Sequence, residues 1–220
     1  METILYNVSD DVAQLTLNRP DVLNRINTKM IEEVRATVAT FAADETARVL
    51  LITGNGKGFC ADADLAANVA GGDYMTTGQR VAHGMDVGFN PLVRELAEVP
   101  KPVITAVNGT TAGGGCGLIL ECVDDEALME HALKYARKLA DGPPKAFREI
   151  KKALDISERH TLSEQLDYEH DTQGILGDHA NSKEGVVSFL KKKTPSSWHN
   201  PKQTTSNIYP KCTTGENYGI

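Results

Sequence analysis

The chain has 220 residues, enough for one moderately large domain, and its 40% apolar, 24% charged and 5% aromatic content matches an ordinary α/β enzyme, not a disordered or membrane protein. A formal charge of −7 and a pI near 5.4 exclude a general nucleic-acid binder, which needs a basic face to neutralise phosphates. No apolar run is long enough to span a bilayer, and Met1 to Asp10 lacks the basic start and apolar core of a signal peptide, so an intracellular protein is expected.

Ile4 to Val8 and Val12 to Leu17 alternate in polarity around Ser9-Asp10-Asp11, which predicts a hairpin. After a turn at Asn18-Arg19-Pro20, apolar residues Met30, Ile31, Val34, Val38 and Phe41 recur three and four apart, predicting a helix capped near Asn27 and ending near Ala43-Asp44. Val49 to Thr53 is continuously apolar, as in a parallel strand covered on both faces, and Val103 to Val107 repeats the pattern. Between them lie a glycine-punctuated loop at Gly71-Gly72 and helical stretches ending in Pro91 to Leu96. This order implies crossover connections and a largely parallel sheet. Beyond Glu121 the pattern becomes helical. Leu128, Ala132, Tyr135, Ala136 and Leu139 share a stripe closed by Gly142-Pro143-Pro144, and helices over Lys145 to Leu154, Leu162 to Leu176 and Ser182 to Lys193 follow, the last opening on a Ser182-Lys183-Glu184 cap. Ser196 to Ile220 is polar and aperiodic and is expected to be disordered or loosely packed.

Cys60, Cys116, Cys122 and Cys212 have neither CxxC nor zinc spacing and are expected to be reduced, small apolar residues. The histidines are scattered, so no metal site is expected. The segments richest in chemistry are Gly54 to Leu65 (GNGKGFCADADL) and Val107 to Leu118 (VNGTTAGGGCGL), each following a β-branched run. Neither completes a P-loop, and Gly113, Gly115 and Gly117 do not continue as a dinucleotide fingerprint. Gly113-Gly114-Gly115 leading into Leu118-Ile119-Leu120 reads better as a helix N-terminus presenting free N–H groups to an anion. Such donors stabilise a developing oxyanion.

These residues resemble the enoyl-CoA hydratase/isomerase, or crotonase, family. The resemblance is carried by Leu17-Asn18-Arg19-Pro20, Leu23-Asn24, Ile26-Asn27, the runs Val49 to Leu65 and Lys101 to Gly117, and the later segments Asp124 to Ala140, Gly142-Pro143-Pro144 and Ser182 to Leu190. It implies an α/β fold, a crotonase-like spiral of β-β-α units over residues 1–122, with a C-terminal helical region over 123–195 and a tail over 196–220. It further implies an acyl-CoA substrate and a homo-oligomer, trimer or hexamer. No separate cofactor is implied, because coenzyme A is part of the substrate. The backbone N–H groups of Ala63 and Gly114 would form the oxyanion hole, and Ala61, Ala63, Asp64, Leu65 and Gly114 would contact acyl-CoA. The cytoplasm is expected, with mitochondrial matrix or peroxisome as alternatives for such a family.

The chain departs from the family pattern at four places. Asp62 stands where glycine is usual; its carboxylate either faces the hole or turns to solvent or the next helix. Arg25 replaces a small residue beside the expected CoA path, either reaching a phosphate or remaining solvated. Gly117 occupies the position of the hydratase glutamate and cannot transfer a proton. Leu120 meets Glu121 directly where the family carries a further block, and a crossover alone needs about a dozen residues. The chain therefore reads as shortened inside, isomerase-like, and impaired in activity, with an inactive acyl-CoA-binding or oligomer-modifying subunit as the alternative.

Overall fold

A computed structural model describes residues 1–64, 76–112, 125–191 and 193. The alternating start folds as a hairpin: β1 (Ile4–Ser9) and β2 (Val12–Leu17) run antiparallel from Ile4 opposite Leu17 to Ser9 opposite Val12. Asp10 and Asp11, at φ of 51° and 61°, supply the two left-handed residues that the tightest hairpin turn needs. Helix α1 (Thr28–Ala43) begins where Asn27 Oδ1 accepts the Met30 N–H at 2.9 Å, and it buries Met30, Ile31, Val34, Val38 and Phe41 as its periodicity predicts.

Strands β3 (Val49–Gly54), β4 (Gly58–Ala61), β5 (Val103–Ala106) and β6 (Thr110–Ala112) belong to two sheets, ordered β1-β2-β3-β5 and β4-β6, with β2, β3 and β5 parallel and β4 parallel to β6. The pairs β3-β4 and β5-β6 each add their first strand to the four-stranded sheet and their second to the two-stranded one, whereas β1 and β2 both lie in the four-stranded sheet; α1 follows β1-β2, and α2 (Thr77–Gly84) follows β3-β4. Helix α2 continues through a π-helical turn (Met85–Phe89) into α3 (Asn90–Glu98).

The continuous apolar run of β3 is explained by its two coverings. Leu50 and Ile52 pack with Ala13, Leu15 and Leu17 against Val34, Val38 and Phe41 of α1, while Val49 and Leu51 pack with Val12 and Ala106 against Ala136 and Ala140 of α4 (Leu128–Ala140). Alternate side chains of one strand serve opposite layers. For β5 the expectation of two buried faces is corrected. It is the last strand of the sheet among the described residues; only Ala106 is buried and Thr105 is exposed. Tyr135 is likewise off the buried stripe of α4: it is 38% exposed and stacks on His131.

Helices α5 (Pro144–Ser157) and α6 (Leu162–Gly177) follow, the latter opened by a reciprocal Thr161–Glu164 capping box. Helix α7 spans Ala180–Leu190, so the Ser182 cap is corrected: the Ser182 N–H already donates to His179 O, which places it inside the first turn. Side-chain cations close three helix ends. Lys101 Nζ donates to Phe41 O and Asp44 O, Arg48 Nη2 to Gly142 O, and Lys151 Nζ to Leu96 O and Val99 O. Burial of each of the three cations, half withdrawn from solvent, pulls its pKa below the ordinary value. Helices α5 and α6 bury no residue completely, and Leu154, Leu162, Ile175 and Leu190 stand exposed on the helical region. No helix among the described residues is long and apolar enough to cross a membrane. The predicted tail over 196–220 lies outside the described residues.

Candidate active site

Two asparagines, Asn108 partly buried and Asn24 fully buried, organise the turn that joins β3 to β4. Asn108, just after β5, accepts the Gly54 N–H on Oδ1 at 3.0 Å and donates through Nδ2 to Gly56 O at 3.0 Å. The approach is close enough that a Cβ on Gly54 would lie 2.6 Å from Gly58 O, and a Cβ on Gly109, whose φ is 150°, would collide with the Lys57 carbonyl. From the other side Asn24, fully buried, donates to Asn55 O (3.0 Å) and Gly58 O (2.8 Å) and accepts the Arg19 N–H (2.8 Å). Leu23 and Asn24 both adopt left-handed φ, 51° and 56°, which swings residues 24–26 alongside β4. The Ala61 N–H consequently donates to Leu23 O at 3.0 Å.

Two residues beyond the end of β4 the chain reaches Ala63. Ile26 forms an isolated parallel bridge with it, donating to Asp62 O (2.9 Å) and accepting from the Asp64 N–H (2.8 Å). Asp62 has φ 77°, a conformation glycine adopts without cost and aspartate tolerates better than most residues. That turn aims the Asp62 carbonyl at Ile26. Because the peptide is planar and trans, the Ala63 N–H on its far edge faces away from Ile26. No acceptor for this N–H occurs among the described residues. The side chain of Asp62 is exposed, so of its two readings the solvent-facing one matches the structure.

The second glycine-rich segment is entered through β6, which pairs in parallel with β4 so that Ala61 stands opposite Ala112. Ala63 and Gly114 are each two residues beyond this pair in sequence. Gly114 and Leu65 lie outside the described residues, as do Gly117, Glu121 and Asp124. Of the predicted contact residues, Ala61 and Ala63 are half-buried, whereas Asp64 is buried with its carboxylate turned onto Arg19, Nη2 to Oδ2 at 2.9 Å. Arg19 Nη1 also donates to Arg25 O at 2.6 Å. The Arg25 side chain is exposed and donates to Val22 O at 3.4 Å. Among the described residues no three His, Cys, Asp or Glu side chains gather as a metal centre.

The sequence reading missed three organisers of this site: Arg19, Asn24 and Asn108. Their signal was present, because a buried asparagine in a left-handed turn and an Asn-Gly pair directly after a strand are residue types that bond backbone. The partners, however, are distant in sequence.

The family model for enoyl-CoA hydratase/isomerase matches residues 7–124 and 116–201. The chain belongs to the enoyl-CoA hydratase/isomerase family. It is 35% identical to the 1,2-epoxyphenylacetyl-CoA isomerase of Escherichia coli strain K12, over 89% of this chain and 98% of the relative. It is also 35% identical to a trans-2-decenoyl-[acyl-carrier-protein] isomerase of Streptococcus mutans, over 52% of this chain and 43% of that one. The crystal structure of an enoyl-CoA hydratase from Bacillus anthracis superposes with a TM-score of 0.78 at 21% identity, covering 90% of this chain and 100% of that one. At that identity the likeness concerns the fold, which is mixed α/β and crotonase-like with a C-terminal helical region. For this enoyl-CoA hydratase/isomerase family member, acyl-CoA processing is the general activity.

Proposed function

We propose that this chain binds an acyl-CoA thioester and polarises its carbonyl through a backbone oxyanion hole formed by the Ala63 and Gly114 N–H groups, in an isomerase-like manner. One observation carries the reading: parallel strands β4 and β6 stand in register with Ala61 opposite Ala112, each two residues before a proposed donor, and the Ala63 N–H has no acceptor among the described residues. Two backbone N–H groups aimed at one oxygen favour the enolate over the neutral thioester by several kcal/mol when water is excluded. The names of the two isomerases among the relatives support an isomerase rather than a hydratase reading.

Proton transfer is the weak part of the machinery. Gly117 stands at the position of the hydratase glutamate, and the alignment with the Escherichia coli relative runs over 260 positions, more than the 220 residues of this chain, so residues of the relative have no counterpart here. We read this as an internal deletion that removes the second carboxylate and impairs turnover. No cofactor beyond the substrate's own coenzyme A is needed. Self-association as a trimer or hexamer accompanies the reading, supported by the exposed leucines of the helical region, and a cytoplasmic location in fatty acid metabolism completes it.

The test is calorimetric titration with butyryl-CoA, free coenzyme A and butyrate, followed by assays with unsaturated acyl-CoA isomers and crotonyl-CoA. Saturable binding of butyryl-CoA well above coenzyme A alone, slow double-bond migration and no hydration are expected. Efficient hydration of crotonyl-CoA would overturn the isomerase reading. Binding without any turnover would instead favour the inactive acyl-CoA-binding subunit, which Gly117 also supports.

A further inference from the structure

We infer that Arg19 is a positioning residue whose ion pair with Asp64 straps the segment carrying the Ala63 N–H into its oxyanion-binding orientation. The inference rests on the oxyanion-hole reading above.

The direction of the Ala63 N–H depends on the two bonds that Ile26 makes to its neighbours, to Asp62 O at 2.9 Å and from Asp64 N at 2.8 Å. Those bonds fix Ala63 only if residues 25–26 cannot slide along residues 62–64. A single guanidinium prevents the slide. Its Nη1 donates to the carbonyl of Arg25, immediately before Ile26, at 2.6 Å, and its Nη2 meets the carboxylate of Asp64, immediately after Ala63, at 2.9 Å. The two donors are held at a fixed separation by the planar group, so they act as a rigid brace between the two strands. Arg19 is itself anchored, because its backbone N–H is held by the fully buried Asn24.

The pair is more than a surface contact. The side chains of Arg19 and Asp64 are 21% and 9% exposed, which places them in a less screened environment than a solvent-exposed ion pair. The position of the carboxylate gives Asp64 a task in addition to the acyl-CoA contact expected of it: it acts on the ligand through Ala63. Loss of the brace would leave the acyl-CoA cleft in place but let the donor drift. A carbonyl that carries little charge tolerates such drift, whereas an enolate oxygen depends steeply on donor alignment.

The experiment compares two probes on the full chain and on Arg19→Met, Asp64→Asn and Arg19→Lys: butyryl-CoA, read by calorimetry, and acetoacetyl-CoA, whose bound enolate is read by its near-ultraviolet absorbance as pH is varied. The urea midpoint of every variant is recorded alongside. Arg19→Met is expected to lower the bound enolate-to-keto ratio by about tenfold while butyryl-CoA affinity changes by less than about twofold, the pattern of misalignment without loss of the cleft; Asp64→Asn is expected to lower the same ratio about tenfold and is read by that ratio. Arg19→Lys, which keeps the charge but cannot bridge two acceptors, should be intermediate. Equal weakening of both probes, an unchanged enolate ratio in both disrupting variants, or full retention by Arg19→Lys would overturn the brace. If the unaltered chain binds butyryl-CoA yet fails to raise the enolate fraction of acetoacetyl-CoA, the oxyanion-hole reading fails and takes the brace with it. An intact enolate band that resists the substitutions overturns the brace alone.

Discussion

Replacing Asn24 tests whether the candidate site is held by a buried polar hub. The Asn24 side chain is fully buried and makes three hydrogen bonds, to the Arg19 N–H and to the carbonyls of Asn55 and Gly58, from a residue at φ 56°. Asn24→Gly removes the bonds and keeps the backbone conformation free. Asn24→Ala removes the same bonds and adds a Cβ in left-handed space. At about 1 kcal/mol net per hydrogen bond, Asn24→Gly should cost about 3 kcal/mol. The left-handed penalty for alanine adds about 1 kcal/mol, so Asn24→Ala should cost about 4 kcal/mol. Against a total stability of about 5–15 kcal/mol either loss is large. Urea unfolding followed by far-ultraviolet circular dichroism measures both, provided the slope against denaturant stays constant. A cost below about 1 kcal/mol for Asn24→Gly would refute the hub, since the net value of even one of its bonds would not be recovered. Equal costs for glycine and alanine would refute the backbone argument while leaving the hub intact.

The remaining predictions address the acid limb, the hole and the helical region. Burial alone would raise the pKa of Glu33, but the N–H of Glu2 and the hydroxyl and N–H of Thr3 outweigh it and hold the carboxyl down to about 2. Because the folded value is depressed, this stabilisation is complete above the ordinary 4.5 and is lost as pH falls from there towards 2, by at most about 3 kcal/mol. Glu33→Gln should flatten that part of the stability-against-pH curve, which a series of urea titrations reads directly. Asp62→Gly should leave stability within about 0.5 kcal/mol, relief of the left-handed φ offsetting the freedom gained by the unfolded chain. By contrast Asp62→Val should cost about 2 kcal/mol and lower the bound enolate fraction of acetoacetyl-CoA by turning the Ala63 N–H away. Lys151→Met removes the bonds to Leu96 O and Val99 O that tie α5 to the end of α3, and should raise amide exchange in α5 before it changes exchange in β3.

Strands and helices were legible wherever one local pattern decided them. The run Val49 to Thr53 could be read as covered on both faces because four apolar residues in succession, Val49 to Ile52, open it, and the hairpin because its alternation breaks at two aspartates. Val103 to Val107 carries the same pattern with a different outcome, since burial depends on what lies beyond the strand and not on the strand itself. Ser182 looked like a cap because serine there precedes glutamate, but the turn begun by Ala180 captures its N–H first. Ala61, Ala63 and Asp64 came from resemblance to a family. The bonds that hold Ala63 join segments more than thirty residues apart, and no periodicity within either segment encodes them.

The described half of the site is built entirely from residues that precede the glycine run. Arg19 and Asn24 come from the turn after β2, Gly54 to Asp64 from the second strand pair, and Asn108 to Ala112 from the third. Every hydrogen bond described for Asn24, Asn108 and Ile26 closes within those three segments. The far face of the sheet is supplied from the other side of the junction, where α4 sets Ala136 and Ala140 on Val12, Val49, Leu51 and Ala106. On the proposed reading, a deletion at Leu120-Glu121 would leave both the framework of Ala63 and the apolar cover of the four-stranded sheet in place. On the same reading, loss of a carboxylate beyond Leu120 would affect proton transfer more than thioester binding. Grafting the matching segment of the Escherichia coli relative between Leu120 and Glu121 should raise turnover of unsaturated acyl-CoA with little change in butyryl-CoA affinity. Restoration of affinity rather than turnover would place the lost binding determinants in the grafted segment, against the autonomy of the first half.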